Sequence, residues 1–131
     1  MLNELINSFL NFIYLRWLGL TIILLSTILV LSLYPINNLI TSTAGNDKIF
    51  HLLSYLILSF PMSYKKPTSY RLIFIFFVCF GGLIEIVQPI FSRSRELLDF
   101  ISNTIGIILG MIMGHLVKVS HKHWFIFWVS W

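Results

Sequence analysis

Charge is scarce in this chain. Lysine, arginine, aspartate and glutamate together supply 11% of its 131 residues, well under the quarter or so that soluble domains carry. No charged residue occurs between Trp17 and Asn46, which excludes a water-exposed surface over that stretch. The single cysteine, Cys79, rules out an intramolecular disulfide. It sits in an apolar run, where it is expected to serve packing. What fills the space left by these absences is 57% hydrophobic and 16% aromatic, the make-up of an integral membrane protein. A chain this short reads as one domain, 1–131, with no room for a soluble catalytic domain beside a membrane anchor. Function has to sit among the helices or their short loops.

Divided at its charges, the chain is predicted to be an all-α membrane protein with four transmembrane helices, over about 17–35, 48–64, 71–90 and 96–117. The first is nearly unbroken Leu, Ile, Thr and Val until Pro35 stops it. It is longer than a signal-peptide core, and the small residues Ser42-Thr43-Ala44 lie far beyond it, so a retained span is expected rather than a cleaved leader. The apolar part of the second is only about 24 Å long at the helical rise. It has to extend at its ends or cross a thinned bilayer. Before Arg16, the residues Leu2, Leu5, Ile6, Phe9, Phe12 and Ile13 recur at helical spacing with Asn and Glu between them. That pattern predicts an N-terminal amphipathic interfacial helix. The tail HKHWFIFWVSW has the composition of a membrane-interface belt.

Basic residues set the orientation. Arg16, Lys65, Lys66, Arg71, Lys118 and Lys122 all fall on one side if four helices alternate across the bilayer, and that side is cytoplasmic by the positive-inside rule. The expectation is a multi-pass protein of the cytoplasmic (inner) membrane with both termini inside. The net charge of +4 is then a topology signal, and no nucleic-acid partner is expected. Asp47, Glu85, Glu96 and Asp99 fall in the outer half.

At about 100° per residue, the polar exceptions inside the apolar segments line up. Asp47, His51, Ser54 and Leu58 share one stripe, with Lys48 and Tyr55 at its edge. Gly81, Glu85 and Gln88 share another. Asp99, Ser102, Asn103, Gly106, Gly110 and Gly114 share a third, and its small residues form the ladder that lets two membrane helices approach closely. Matched depths predict one buried layer of Asp47, His51, Glu85, Gln88, Asp99 and Asn103 just beneath the outer surface. Pro89 would clash with the Glu85 carbonyl and kink the helix beside it. Capping explains Asp47 and Glu96 adequately. It does not explain Glu85, for which the plain structural role is an ion pair with Lys48, Arg93 or Arg95; the alternative is a functional site, since ionisable groups in membrane helices usually mark one.

DKIFHLLSY, followed by EIVQPIFSRSRELLDFISNTIGIILG, resembles the VanZ-like family of small bacterial membrane proteins. Members show an Asp-Lys pair before a His and an aromatic residue, then E-x-x-Q, an Arg in a short loop, and D-x-x-x-N-x-x-G-x-x-x-G. The resemblance covers Asp47 to Gly110 and implies site roles for Asp47, Lys48, His51, Tyr55, Glu85, Gln88, Arg93, Asp99, Asn103, Gly106 and Gly110. Where many members have Pro-Gly before the arginine, this chain has Phe91-Ser92. The founding member is associated with resistance to glycopeptide antibiotics, teicoplanin in particular.

Three functions are consistent with these residues. The first is an enzyme acting on a lipid-linked, phosphate-bearing cell-wall or polysaccharide precursor. There Lys48 and Arg93 would hold the phosphate, with Gln88 and Asn103 in the binding set and His51, Glu85 and Asp99 as the catalytic groups. Asp47, Tyr55, Gly106 and Gly110 would support them. The second uses the same pocket to bind membrane lipids or a cell-wall precursor without chemistry, in keeping with the lack of a clear nucleophile. The third is a metal site with Asp47, His51, Glu85 and Asp99, ranked last because Lys48 and Arg93 oppose a cation. No metal and no cofactor is assigned.

Overall fold

The structure is a computed structural model. It describes the backbone of residues 1–34, 44–91 and 96–129, and the side chains of 1–34, 47–91 and 96–121. The described residues form helices and no strand: α1 Leu2–Leu33, α2 Ala44–Lys65, α3 Tyr70–Val87 and α4 Leu97–Val129. Three stretches, Leu2–Leu33, Tyr70–Phe91 and Leu97–His121, are long and apolar enough to cross a membrane. Large apolar side chains such as Leu18, Ile23, Ile75 and Leu116 stand exposed along them, an arrangement that water penalises and lipid does not. The chain is a helical membrane protein.

The expected boundary at Arg16 is absent. Leu2–Leu33 is one helix of 32 residues, about 48 Å long, because nothing between Tyr14 and Leu20 breaks a helix except Gly19, and a lone glycine costs only about 1 kcal/mol. Its N-terminal half packs through Leu10 and Ile13 against Tyr64. Leu2, Leu5, Ile6, Phe9 and Phe12, the rest of the expected apolar face, are exposed. The helix ends where Tyr34 turns extended (φ −73, ψ 127), as the residue before a proline is driven to do.

The second helix also outruns its sequence bounds. It starts at Ala44 and has 22 residues, about 33 Å, so extension at the ends supplies the missing length. Asp47 therefore lies within the first turn and is not the N-cap, although a carboxylate there still meets the positive end of the helix. Pro61 is buried inside the helix, which continues to Lys65. Lys66 closes it in the left-handed region (φ 53), its N–H donating to the Met62 carbonyl at 2.8 Å, the usual geometry just past a helix end.

Pro89 does not kink an α-helix. The α-helix stops at Val87, and Gln88–Phe91 tighten into a 3₁₀ turn that takes up the proline. The fourth helix passes the expected end near 117 and runs to Val129, since no Pro or Gly follows Gly114. The belt-like side chains of the tail lie outside the described residues.

α2 and α4 form the central pair, with α1 and α3 against them. A β-carbon at Gly106 would run into the Leu52 carbonyl, and one at Gly110 into the Leu56 carbonyl and the Ser59 hydroxyl. The glycines thus set the helix spacing. Ser59 Oγ donates to the Ile107 carbonyl at 3.0 Å and Ser63 Oγ to that of Met111, so α4 backbone oxygens are bonded twice. Ser102 is only half-buried. Its hydroxyl bonds the Leu98 carbonyl of its own helix at 2.8 Å, and the buried position belongs to Asn103. Tyr55, Leu58, Met62, Phe77, Ile84 and Ile107 make the core below. Cys79 is exposed on α3 rather than packed.

Candidate functional site

The polar layer sits where α2, α3 and α4 meet. His51, Glu85, Gln88, Asp99 and Asn103 are all buried, none more than 7% exposed. Each occupies the inward face of an otherwise apolar helix, at the spacing the polar stripes predict: Glu85 one turn from Gly81, and Asn103 one turn from Asp99.

His51 is the hub. Its Nδ1–H donates to the Asn103 side-chain oxygen at 3.0 Å, an oxygen that can only accept, so Nε2 is the nitrogen left for other partners. That nitrogen faces the Asp99 carboxylate at 3.7 Å, too far for a hydrogen bond. Asp47, half-buried on the same face of α2, completes a trio of ligand atoms within 4.8 Å of one another. Lys48 stands at the rim, its side chain 27% exposed. Its ammonium donates to Glu96 at 2.9 Å and lies 3.9 Å from Asp99.

Behind the hub lies Tyr55. It is fully buried, so it occupies the centre of the α2 face and Ser54 its edge, the reverse of the order expected from the helical wheel. Gly81 makes room for it. A β-carbon there would stand 3.3 Å from the Tyr55 hydroxyl and 3.5 Å from the Asn103 amide nitrogen. Tyr55 and Glu85 are both buried in this region. Gln88 turns towards α1 instead, its amide donating to the Ser32 carbonyl at 3.4 Å.

Asp47, Lys48, His51, Asp99 and Asn103 therefore meet directly, Tyr55 and Glu85 adjoin them, and Gln88 points from the layer to α1. Gly106 and Gly110 hold the two main walls together. Arg93, with Ser92, Ser94 and Arg95, lies outside the described residues. Glu96 is the residue that sequence reasoning placed elsewhere, as a cap. Its spacing of three from Asp99 and seven from Asn103 puts it on the same face of α4, and that was the available signal.

No family model, curated protein or solved structure matches this chain. The chemistry has to be argued from the side chains. Four of the buried polar atoms, Tyr55 Oη, Gln88 Oε1, Asp99 Oδ1 and Asn103 Nδ2, make no hydrogen bond among the described residues. Burying such groups costs roughly 1–3 kcal/mol each, a cost that a polar ligand entering the layer would relieve.

Proposed function

We propose that the protein is a VanZ-like protein of the bacterial cytoplasmic membrane, with four spans and both termini inside, whose outward-facing polar layer takes the phosphate-bearing headgroup of a lipid-linked cell-envelope precursor. The observation that carries this reading is the convergence of His51, Asp99 and Asn103 under a rim lysine, in a chain of which only 11% is charged. Buried ionisable groups in membrane helices mark binding or proton-transfer sites by default. Lys48 supplies a cation at the mouth. Arg93 supplies a bidentate fork by resemblance. His51 and Glu85 then act as acid and base on the bound headgroup, with Asn103 orienting His51 through Nδ1 and Asp99 facing its Nε2.

Four spans follow if α2 crosses with the rest. Its polar groups turn towards α4, as in Ser59, Ser63 and His51, while Phe50, Leu53 and Ile57 face outwards. Membrane helices tolerate polar residues on such inward faces. The resemblance ties the reading to glycopeptide resistance. A protein that engages envelope precursors could alter how teicoplanin meets its target.

A second reading has its own observation. Asp47, His51 and Asp99 within 4.8 Å, with His51 oriented through Nδ1 by Asn103, resemble a metal site whose histidine is steered by an outer hydrogen bond. Lys48 beside Asp99 opposes it, and the phosphate reading is preferred.

Lipid mass spectrometry on the purified protein, and on membranes with and without it, tests the proposal. The expected result is a co-purifying phosphate-bearing lipid that Lys48→Gln loses, and a changed precursor pool that Glu85→Gln and His51→Ala restore. A bound lipid with no change in the pool makes the protein a binder without chemistry. Zinc or manganese at one equivalent by elemental analysis would establish the metal reading, and no enriched lipid in any preparation would overturn the phosphate reading.

A further inference from the structure

A cavity lined by polar side chains lies at the opposite end of the bundle, remote in the chain from the layer just described. About 630 Å³ in volume, it is lined by Asn7, Asn11 and Tyr14 of α1, Tyr64 of α2, and Lys118 and His121 of α4. Its side chains are positioned by their own contacts. His121 Nε2 and the Asn7 side-chain oxygen are 3.0 Å apart. Lys118 donates to the Lys65 carbonyl at 3.0 Å, and the Lys65 ammonium sits 3.5 Å above the Tyr14 ring. An ammonium has three donors, and Lys118 spends one on a neutral oxygen.

No carboxylate lines this cavity. Glu4, the one acid of α1, is 87% exposed and paired with the N-terminal ammonium at 3.1 Å. One ammonium, one imidazole, two amides and two phenol hydroxyls thus line one cavity with no carboxylate among them, which is the chemistry of an anion site. Beyond the Asn7–His121 contact lies a smaller crevice of about 300 Å³, lined by Ile6, Leu10 and Val117 among others and sharing Asn7 and His121 with the first. A cationic cavity joined to an apolar crevice has the shape of an amphiphile.

We propose that this cavity binds the phosphodiester headgroup of an anionic phospholipid, with its acyl chains along the apolar crevice. Basic pockets between membrane helices on the cytoplasmic side bind anionic lipids. Only the leaflet, the inner one, rests on the topology proposed above; the binding itself does not, nor does it depend on what the outer layer binds.

Thermal unfolding of the full chain in neutral detergent tests the proposal, with added phosphatidylglycerol, phosphatidylcholine or inorganic phosphate. Phosphatidylglycerol is expected to raise the midpoint, and the other two to leave it unchanged. Lys118→Gln is expected to weaken the phosphatidylglycerol response about tenfold or more in concentration, as loss of a charge-assisted bond does, while Lys66→Gln, an exposed lysine at the same end, keeps it. Equal shifts with phosphatidylcholine, or an undiminished response in Lys118→Gln, would overturn the site. A matching shift with inorganic phosphate would make it a phosphate site and overturn the lipid. Should Lys118→Gln fail to fold, Asn11→Leu, which closes the cavity without removing charge, has to abolish the response.

Discussion

The Nδ1 of His51 and the side-chain oxygen of Asn103 are 3.0 Å apart, a buried side-chain contact between the polar faces of α2 and α4. It decides which histidine nitrogen faces Asp99. A double-mutant cycle with His51→Ala and Asn103→Ala, read by reversible unfolding in detergent, should give a coupling of roughly 0.6–1.7 kcal/mol, the range for interhelical hydrogen bonds in membranes. A coupling near zero would mean that the two side chains do not meet.

Helix spacing yields a sharper test. Gly106→Leu and Gly110→Leu place side chains where the Leu52 and Leu56 carbonyls already stand, and α2 cannot shift without losing the Ser59 and Ser63 bonds to α4. Each substitution should cost at least the roughly 1–3 kcal/mol of overpacking. Gly19→Ala, with nothing within 4 Å of its β-carbon, should instead gain about 0.5–1 kcal/mol in helix propensity. Equal midpoints for Gly110→Leu and Gly19→Ala would refute the close approach.

Much of this arrangement is legible in the residues, for a physical reason. In a chain that excludes charge, Glu85, Asp99 and Asn103 stand out, and 3.6-residue periodicity places them on faces without knowledge of partners. The glycine ladder is legible for the same reason. What the residues hide depends on register between helices: that Tyr55 rather than Ser54 faces inwards, that Asn103 rather than Ser102 is buried, and that Ser59 and Ser63 reach α4 carbonyls. Arg16 misleads differently. A charge in a sequence looks like a boundary, yet an arginine on a helix surface can extend its stem and leave the backbone helical.

Topology can be read chemically. Cys79 is the only native thiol, so a Cys79→Ser background permits single cysteines at chosen loops. If both termini are inside, as proposed, a membrane-impermeant maleimide on intact cells should label Asn38→Cys and spare Thr68→Cys until the cells are opened. Labelling of Thr68→Cys alone would invert the protein, and labelling of both would mean that α2 does not cross.

The Lys48–Glu96 contact gives two predictions of opposite sign. At 2.9 Å, with side chains 27% and 44% exposed, the pair is too open to water to contribute much to stability, so neither Glu96→Gln nor Lys48→Gln should move the unfolding midpoint much. Ligand binding should separate them. If Lys48 receives a phosphate, Glu96 competes with that phosphate for the same ammonium, and the proposed ligand has to displace it. Glu96→Gln should then tighten retention of the phosphate-bearing lipid several-fold, while Lys48→Gln weakens it by about tenfold or more. A purely structural pair would show neither change, or the same change in both. Reduced retention in Glu96→Gln would mean that the carboxylate positions Lys48 rather than competing for it, and the route by which the ligand enters would have to be redrawn around Asp99.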